Sequence, residues 1–398
     1  YDFLDLDAVT LHWEVVAEDV AIQEGWMTDL AVAPHDSTVL TLPIAPFELQ
    51  ANTDYYINLT VCQKEDSLFA PAGHEIKKVQ IPMQIRRDEF SVREAADPLR
   101  VSDRAGILTV ENSLVKARFS TVFGKLLSFG TEDRAYLTEG PRMNVYRATI
   151  DNDMYKKEDW MNKYFLQKPV EETAYVNWEE EADKTVVRIG TYFSCYNQSW
   201  GFSCDYTYEI YSCGQMRVEL QGKAVQRGKL EPEFFPRIGI TMKADRKLQN
   251  TMWYGMGPGE SYVDSKAASV MGIYKNTVDG MMTNYVFPQE NGHREQVKWF
   301  RIGDGRDGLL CKMKAPLGLN LANYTDESLE QAQHPFAIEK ADDVIIHLDY
   351  LHSGLGSNSC GEEQLEEKVK LQDFALAFTL QTVTDGSEIR EARIQYIE

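Results

Sequence analysis

Period-two alternation of apolar and polar residues runs through most of this chain. It is plainest in "QMRVELQGKAV", where every second residue is apolar from Met216 to Leu220. The same rhythm marks "TLHWEVVA", "DYYINLTVCQ", "KTVVRIGTYFSC", "CDYTYEIYS" and "QDFALAFTLQTV". These runs are rich in β-branched and aromatic residues, and turn chemistry such as "GDGRDG" and "TDGSE" separates them. A helix cannot bury a period-two stripe, so the expected fold is all-β and mostly antiparallel. Helical spacing is confined to two places. One is "DMYKKEDWMNKYFLQK", where Met154, Trp160, Met161, Tyr164 and Phe165 could share a face; the other is a short turn at "DESLEQA".

With 398 residues the chain is longer than one hydrophobic core usually serves, so two domains are expected. The charged, proline-bearing stretch "QIRRDEFSVREAADPLR" reads as the joint between them. This gives a small sandwich over 1–84, a linker over 85–98 and a large β domain over 99–398. The absence of an initiator Met and the strand-like start point to a piece of something longer.

Charge excludes some partners. Lys and Arg total 41 against 62 Asp and Glu, for a formal net charge of -21. Such a surface repels phosphate backbones and anionic lipid, so neither nucleic acid nor a membrane is expected as a partner. The sequence also lacks the roughly 18-residue apolar run that a membrane-spanning helix needs. A neutral substrate such as a sugar is compatible with this charge. The six cysteines, at 62, 195, 204, 213, 311 and 360, contain no C-x-x-C pair and read as reduced, mostly buried thiols in a cytoplasmic protein.

No zincin, nucleophile-elbow, P-loop or EF-hand motif is present. "GMGPGE" imitates a dinucleotide loop but places Glu260 where the third glycine belongs. His347 and His352 are five apart, which in a regular strand puts them on opposite faces. Three local clusters remain. "RATIDND" carries Asp151 and Asp153, a spacing suited to capping or to acid–base work. "WYGMGPGESYVDS" joins aromatics, glycines and Glu260 in a loop that could line a sugar site or turn a corner. "YVFPQENGHR" has the form of a hairpin or crossover loop.

"RATIDND", "WYGMGPGESYVD", "YVFPQENG" and the late loop "HSGLGSNSCG", in this order, resemble the C-terminal part of large family 2 β-galactosidases. The resemblance covers essentially the whole chain. It implies an immunoglobulin-like β-sandwich followed by a large galactose-mutarotase-like β-sandwich. It also implies an upstream TIM barrel in the same polypeptide, carrying the two glutamates that a retaining glycosidase sets about 5–5.5 Å apart. Catalytic residues are therefore expected to lie outside this chain, which alone should be inactive.

By the same resemblance the late loop reaches over the barrel mouth and completes the sugar subsite. Substrate contacts are then expected from Cys360, Ser359, Asn358 and His352, with Cys360 standing where the family commonly has a tryptophan. Backbone oxygens of Phe287 and Pro288 are expected at a cation site, Mg2+ or Na+ belonging to the intact enzyme. Glu260, Arg237 and Asn152 are expected to face sugar in the mutarotase-like cleft. The partners implied are a galactoside and, for the intact enzyme, further copies of itself as a homo-oligomer. A free-standing carbohydrate-binding or epimerase-like module is the alternative, with His352 and either Glu260 or Glu290 as its acid and base.

Overall fold

The computed structural model describes residues 2–3, 5–83, 97–228, 230–362 and 368–394. They form two compact units. The first holds the residues up to 83 with Val270–Ile273 and 393–394, and the second holds the rest. All but the last two residues of the expected linker 85–98 lie outside the described residues.

The first unit is a four-stranded antiparallel sheet of β1 (Val9–Ala17), β2 (Val20–Met27), β3 (Tyr55–Gln63) and β4 (Glu75–Pro82), in the order β2-β1-β3-β4. Alternation decides which face is covered. Val9, Leu11, Trp13 and Val15 of β1 are buried, while His12 and Glu14 point the other way and stay partly exposed. Leu30 packs against Val9 and Leu11, with Leu59 and Val61 of β3 beside them.

The other sixteen strands form one hydrogen-bonded network, which belongs to the second unit apart from Val270–Ile273. Its first five are β5 (Arg100–Arg104), β6 (Ile107–Glu111), β7 (Lys116–Ser120), β8 (Lys125–Gly130) and β9 (Ala135–Asn144). Four long strands follow: β10 (Pro169–Glu180), β11 (Lys184–Cys195), β12 (Trp200–Tyr211) and β13 (Gln215–Gln226). Next come β14 (Arg237–Asp245), β15 (Asn250–Gly257), β16 (Val270–Thr277) and β17 (Arg294–Gly303). The last are β18 (Asp307–Ala322), β19 (Asp343–His352) and β20 (Phe374–Thr384). The main path runs β10-β11-β12-β13-β20-β18-β19-β14-β9-β8-β7-β6-β5, with β15, β16 and β17 branching from β18.

The expected alternation holds in β13: Met216, Val218 and Leu220 are buried to nothing, and Arg217, Glu219 and Gln221 face away. The core they join includes Phe119, Trp160, Trp200, Trp253, Phe300 and Phe378. Cys195, Cys204 and Cys311 lie in it as free thiols, whose pKa burial pushes up. All six cysteines are free.

The short helix at "DESLEQA" is present as α1 (Asp326–Gln331), with the Thr325 hydroxyl capping the Ser328 N–H at 3.1 Å. The longer helix expected after residue 154 is not. In its place stand a 3-10 turn at Asp151–Asp153 and a five-residue wide turn at Asp159–Lys163. Trp160 and Tyr164 are buried as the spacing required, but Met154 is exposed. The Trp160 indole N–H donates to the Phe234 carbonyl at 3.1 Å, and Phe165 adopts a left-handed φ of 51°, so the segment turns away before a regular helix can extend. Among the described residues no helix is long and apolar enough to cross a membrane.

Candidate functional site

Four neighbouring strands of the second unit, β9, β14, β19 and β18, carry polar residues on one shared face. In register, Arg142 lies beside Thr241, Thr241 beside His347, and His347 beside Asn320; Asn144, Gly239, Asp349 and Gly318 form the next row. Arg237 then lies beside His352. The five-residue spacing of His347 and His352 predicts opposite faces, and the structure corrects this. The register shifts by one between Ile238 and Gly239, so Tyr350 is an extra residue on β19 and His352 returns to the side of His347 and Asp349.

Arg237 sits at the centre of this face with no exposed surface. Its Nη2 donates to Glu290 Oε2 at 3.0 Å, and its Nη1 lies 3.6 Å from Asp349 Oδ2. Asn320 donates to Glu290 Oε1 at 3.3 Å and to the Asn291 carbonyl at 2.6 Å. Burial raises the Glu290 pKa. Burial also opposes charge on Asp349, but Arg237 and His293 outweigh it and hold that carboxyl below the usual range. For His293 burial is again opposed, by Asp349, Glu295 and the Ser261 carbonyl, and its pKa rises. His352 has no such partner, so burial drives its pKa well down and it stays neutral. The rings of Tyr262, His293 and His352 pack together with centroids 4.8–5.2 Å apart.

This network holds the base of the 352–361 loop. His352, Ser353 and Gly354 are buried, Leu355 to Asn358 are half-buried, and Ser359, Cys360 and Gly361 are exposed. The His352 Nδ1 accepts the Gly354 N–H at 3.0 Å, and Arg147, itself paired with Asp153 at 2.6 Å, donates to the Gly354 carbonyl at 3.2 Å. Asp264 then accepts the N–H groups of Leu355 at 2.9 Å and Gly356 at 2.7 Å. Gly354 and Gly356 take φ of 69° and 67°, and a side chain on Gly354 would collide with the Asp264 carboxylate. The pliant glycines are therefore what lets a carboxylate approach the loop backbone.

The residues named from sequence take several roles. Asn152 is committed to the loop: its amide donates to the Leu355 and Gly356 carbonyls at 3.1 and 2.7 Å, and its oxygen accepts from Ser359 Oγ at 2.6 Å. Asp153 caps the turn by accepting the Ile150 N–H at 2.9 Å, while Asp151 is exposed. Glu260 accepts from the Tyr285 hydroxyl and, at 2.8 Å, from the Gly292 N–H. Arg237, expected to face sugar, faces Glu290 and Asp349 instead.

Phe287 is exposed and Pro288 buried, and the Phe287 carbonyl accepts from Gln289 Nε2 at 3.4 Å. Two backbone oxygens fall short of the octahedral shell that Mg2+ demands, so this pair does not make a magnesium site by itself. Sequence reasoning missed Asp264, Arg147, His293 and Asp349. Asp264 closes the "ESYVD" stretch already singled out, and Asp349 stands two residues after His347, the same-face spacing of a strand.

The family described as beta galactosidase small chain matches residues 111–380, which covers this whole arrangement. The chain belongs to the β-galactosidase small-chain family. The first 84 residues match the description "Beta-galactosidase, domain 4". Among curated relatives, a beta-galactosidase of Priestia megaterium is 27% identical over 95% of the chain but only 36% of its own length. One of Actinobacillus pleuropneumoniae is 27% identical over 95% of the chain and 37% of its own length. The chain thus spans little more than a third of the length of these relatives. Among solved structures, a galactose 1-epimerase from Lactobacillus acidophilus aligns with 73% of the chain and 99% of its own at 7% identity, with a TM-score of 0.39.

Proposed function

We propose that this chain is the C-terminal, non-catalytic portion of a retaining β-galactosidase acting on terminal β-D-galactosides such as lactose. The observation that carries the reading is the coverage: nearly the whole chain aligns with beta-galactosidases, and it fills little more than a third of them. In this reading the upstream part of the same polypeptide is a TIM barrel with both catalytic glutamates, and the intact enzyme is a cytoplasmic homo-oligomer using Mg2+ or Na+. The 352–361 loop reaches the sugar subsite with Ser359, whose hydroxyl and N–H donate to Asn152, and with the exposed Cys360 beside it. The free-standing epimerase is the poorer reading. His352 is buried with its Nδ1 taken by Gly354, and Glu260 is already bound by Tyr285 and Gly292.

The test has two arms. The purified chain should not turn over a chromogenic β-galactoside, and turnover that survives removal of contaminating enzyme would overturn the reading. Fusion behind the upstream region of the Priestia megaterium relative should restore hydrolysis. In that fusion Cys360→Trp should change substrate binding by about 1 kcal/mol, since an indole offers more stacking area than a thiol.

A further inference from the structure

The polar face of the first unit's sheet brings three metal-ligating side chains together. His12 and Glu14 stand two apart on β1 and so share that face. On β2 the register places Trp26 beside His12 and Glu24 beside Glu14, while Thr60 and Asn58 of β3 flank the same two residues on the other side. One donor atom from each of His12, Glu14 and Glu24 lies within 4.8 Å of the other two, and His12 Nε2 is 3.5 Å from Glu24 Oε2. In a tetrahedral site with bonds of about 2.0–2.2 Å, neighbouring donor atoms are about 3.3–3.6 Å apart. Small side-chain rotations would therefore close these three donors around one ion.

The imidazole is already oriented. Its ring stacks on the Trp26 indole, with centroids 4.4 Å apart and planes 24° from parallel, and its side chain is only 18% exposed. The two carboxylates, by contrast, oppose each other directly across the β1–β2 ladder, an arrangement that destabilises a strand pair. Among the described residues the ion pair at this patch joins Glu24 to His12, and no lysine or arginine pairs with either glutamate. β2 is also an edge strand, and none of its residues is buried. A like-charged pair thus sits where the sheet has the least packing to hold it.

We infer that His12, Glu14 and Glu24 bind a divalent transition-metal ion of the Zn2+ type. The donor set decides the class: imidazole nitrogen suits zinc, nickel and copper, whereas Mg2+ and Ca2+ call for shells built from oxygen. Two carboxylates neutralise the dication, and three protein ligands leave a coordination position for water. The bound ion turns the Glu14–Glu24 repulsion into a bridge and ties the edge strand to β1, as metal staples do in small domains with little core. The site shares no residue with the Phe287–Pro288 pair or with the 352–361 loop, and it stands whether or not that loop serves a barrel.

The complete 398-residue chain, stripped of metal, should be titrated calorimetrically with Zn2+, Mg2+ and Ca2+. Zn2+ should bind with a Kd on the order of 10 μM, weaker than four-ligand structural sites, and the other two about a hundredfold more weakly or not at all. Glu14→Gln and Glu24→Gln should each weaken Zn2+ about tenfold or more. Each variant also removes the like-charge opposition, so without metal it should melt no lower than wild type, while added Zn2+ should raise the wild-type melting temperature more than theirs. Cu2+, which quenches indole emission at contact range, locates the ion: it should quench Trp26, read as the difference between wild type and Trp26→Phe. Failure of Zn2+ to saturate by millimolar concentration, equal binding of Mg2+, affinity unchanged in both glutamine variants, or quenching that Trp26→Phe leaves undiminished would overturn the inference.

Discussion

Asp349 and His352 project from the same face of β19 although they are three residues apart, because Tyr350 is inserted between the partners of Gly239 and Ile238. The pairing on either side of Tyr350 is unbroken: Asp349 with Gly239, Leu351 with Ile238, His352 with Arg237. Removing Tyr350 would therefore regularise the strand without moving any other residue to the opposite face. Removing Leu348 would flip one side of the strand relative to the other. Deletion of Tyr350 is expected to lower the melting temperature modestly, through lost twist and the lost ring contact with Phe374. Deletion of Leu348 is expected to abolish cooperative unfolding. Thermal melts of both deletions check this, and equal damage from the two would show that the bulge itself holds the fold.

Arg237 is the shared partner of Glu290 and Asp349, and none of the three has appreciable exposed surface. Arg237→Met leaves two buried carboxylates facing a thioether and should cost about 3–5 kcal/mol. Glu290→Gln added to that variant should recover part of the loss, because it removes one stranded charge. The double-mutant coupling, from denaturant melts of the four proteins, should be on the order of 1–3 kcal/mol. Strict additivity would mean that the two groups do not interact.

How much of this was legible in the sequence depends on which physical rule was at work. Alternation in β13 and α1's Thr325 cap are local rules, and both are seen where the residues placed them. The Arg237 network is non-local. Its members come from β14, β19 and the loop before β17, and nothing in the spacing of Glu290 and Asp349 says that one guanidinium lies between them. The bulge at Tyr350 carries no glycine or proline to mark it, so the face of His352 could not be read from spacing. The loop at 352–361 was legible as pliant from its glycines. Its anchors were not, since Asp264 lies 91 residues from Leu355 along the chain.

Asp326 titrates in an accessible range. Burial raises its pKa to about 6, with Asp349 also raising it and Arg237 and Arg147 opposing. An ordinary aspartate titrates near 3.9, so the folded state holds this proton more tightly than the unfolded chain. The resulting stabilisation is fully present below about pH 4 and is lost as pH rises through 6, an effect of about 3 kcal/mol in all. Asp326→Asn should remove that part of the pH dependence, so that wild type loses more stability than the variant between pH 4.5 and 7.5, a window chosen about these two pKa values. Denaturant melts at both pH values check this. An identical pH response in the two proteins would assign the proton elsewhere.

Asp264 holds the 352–361 loop by its backbone, accepting from Leu355 and Gly356 while Gly354 gives it room. These contacts lie at the edge of the unit, where the loop passes from buried to exposed, so their loss should open the loop without melting the sheet. Asp264→Ala should therefore speed amide exchange at Leu355 and Gly356 by about tenfold or more, the equivalent of losing charge-assisted hydrogen bonds of about 1.5–3 kcal/mol. Exchange in β13 and β19 should stay near wild type. Asn152→Ala should act on the same loop from its other side, freeing the Leu355 and Gly356 carbonyls and the Ser359 hydroxyl. If Asp264→Ala instead slowed nothing and sped nothing in the loop while destabilising the whole unit, the carboxylate would be a core support rather than a loop anchor. The loop's conformation would then rest on Arg147 and Asn152.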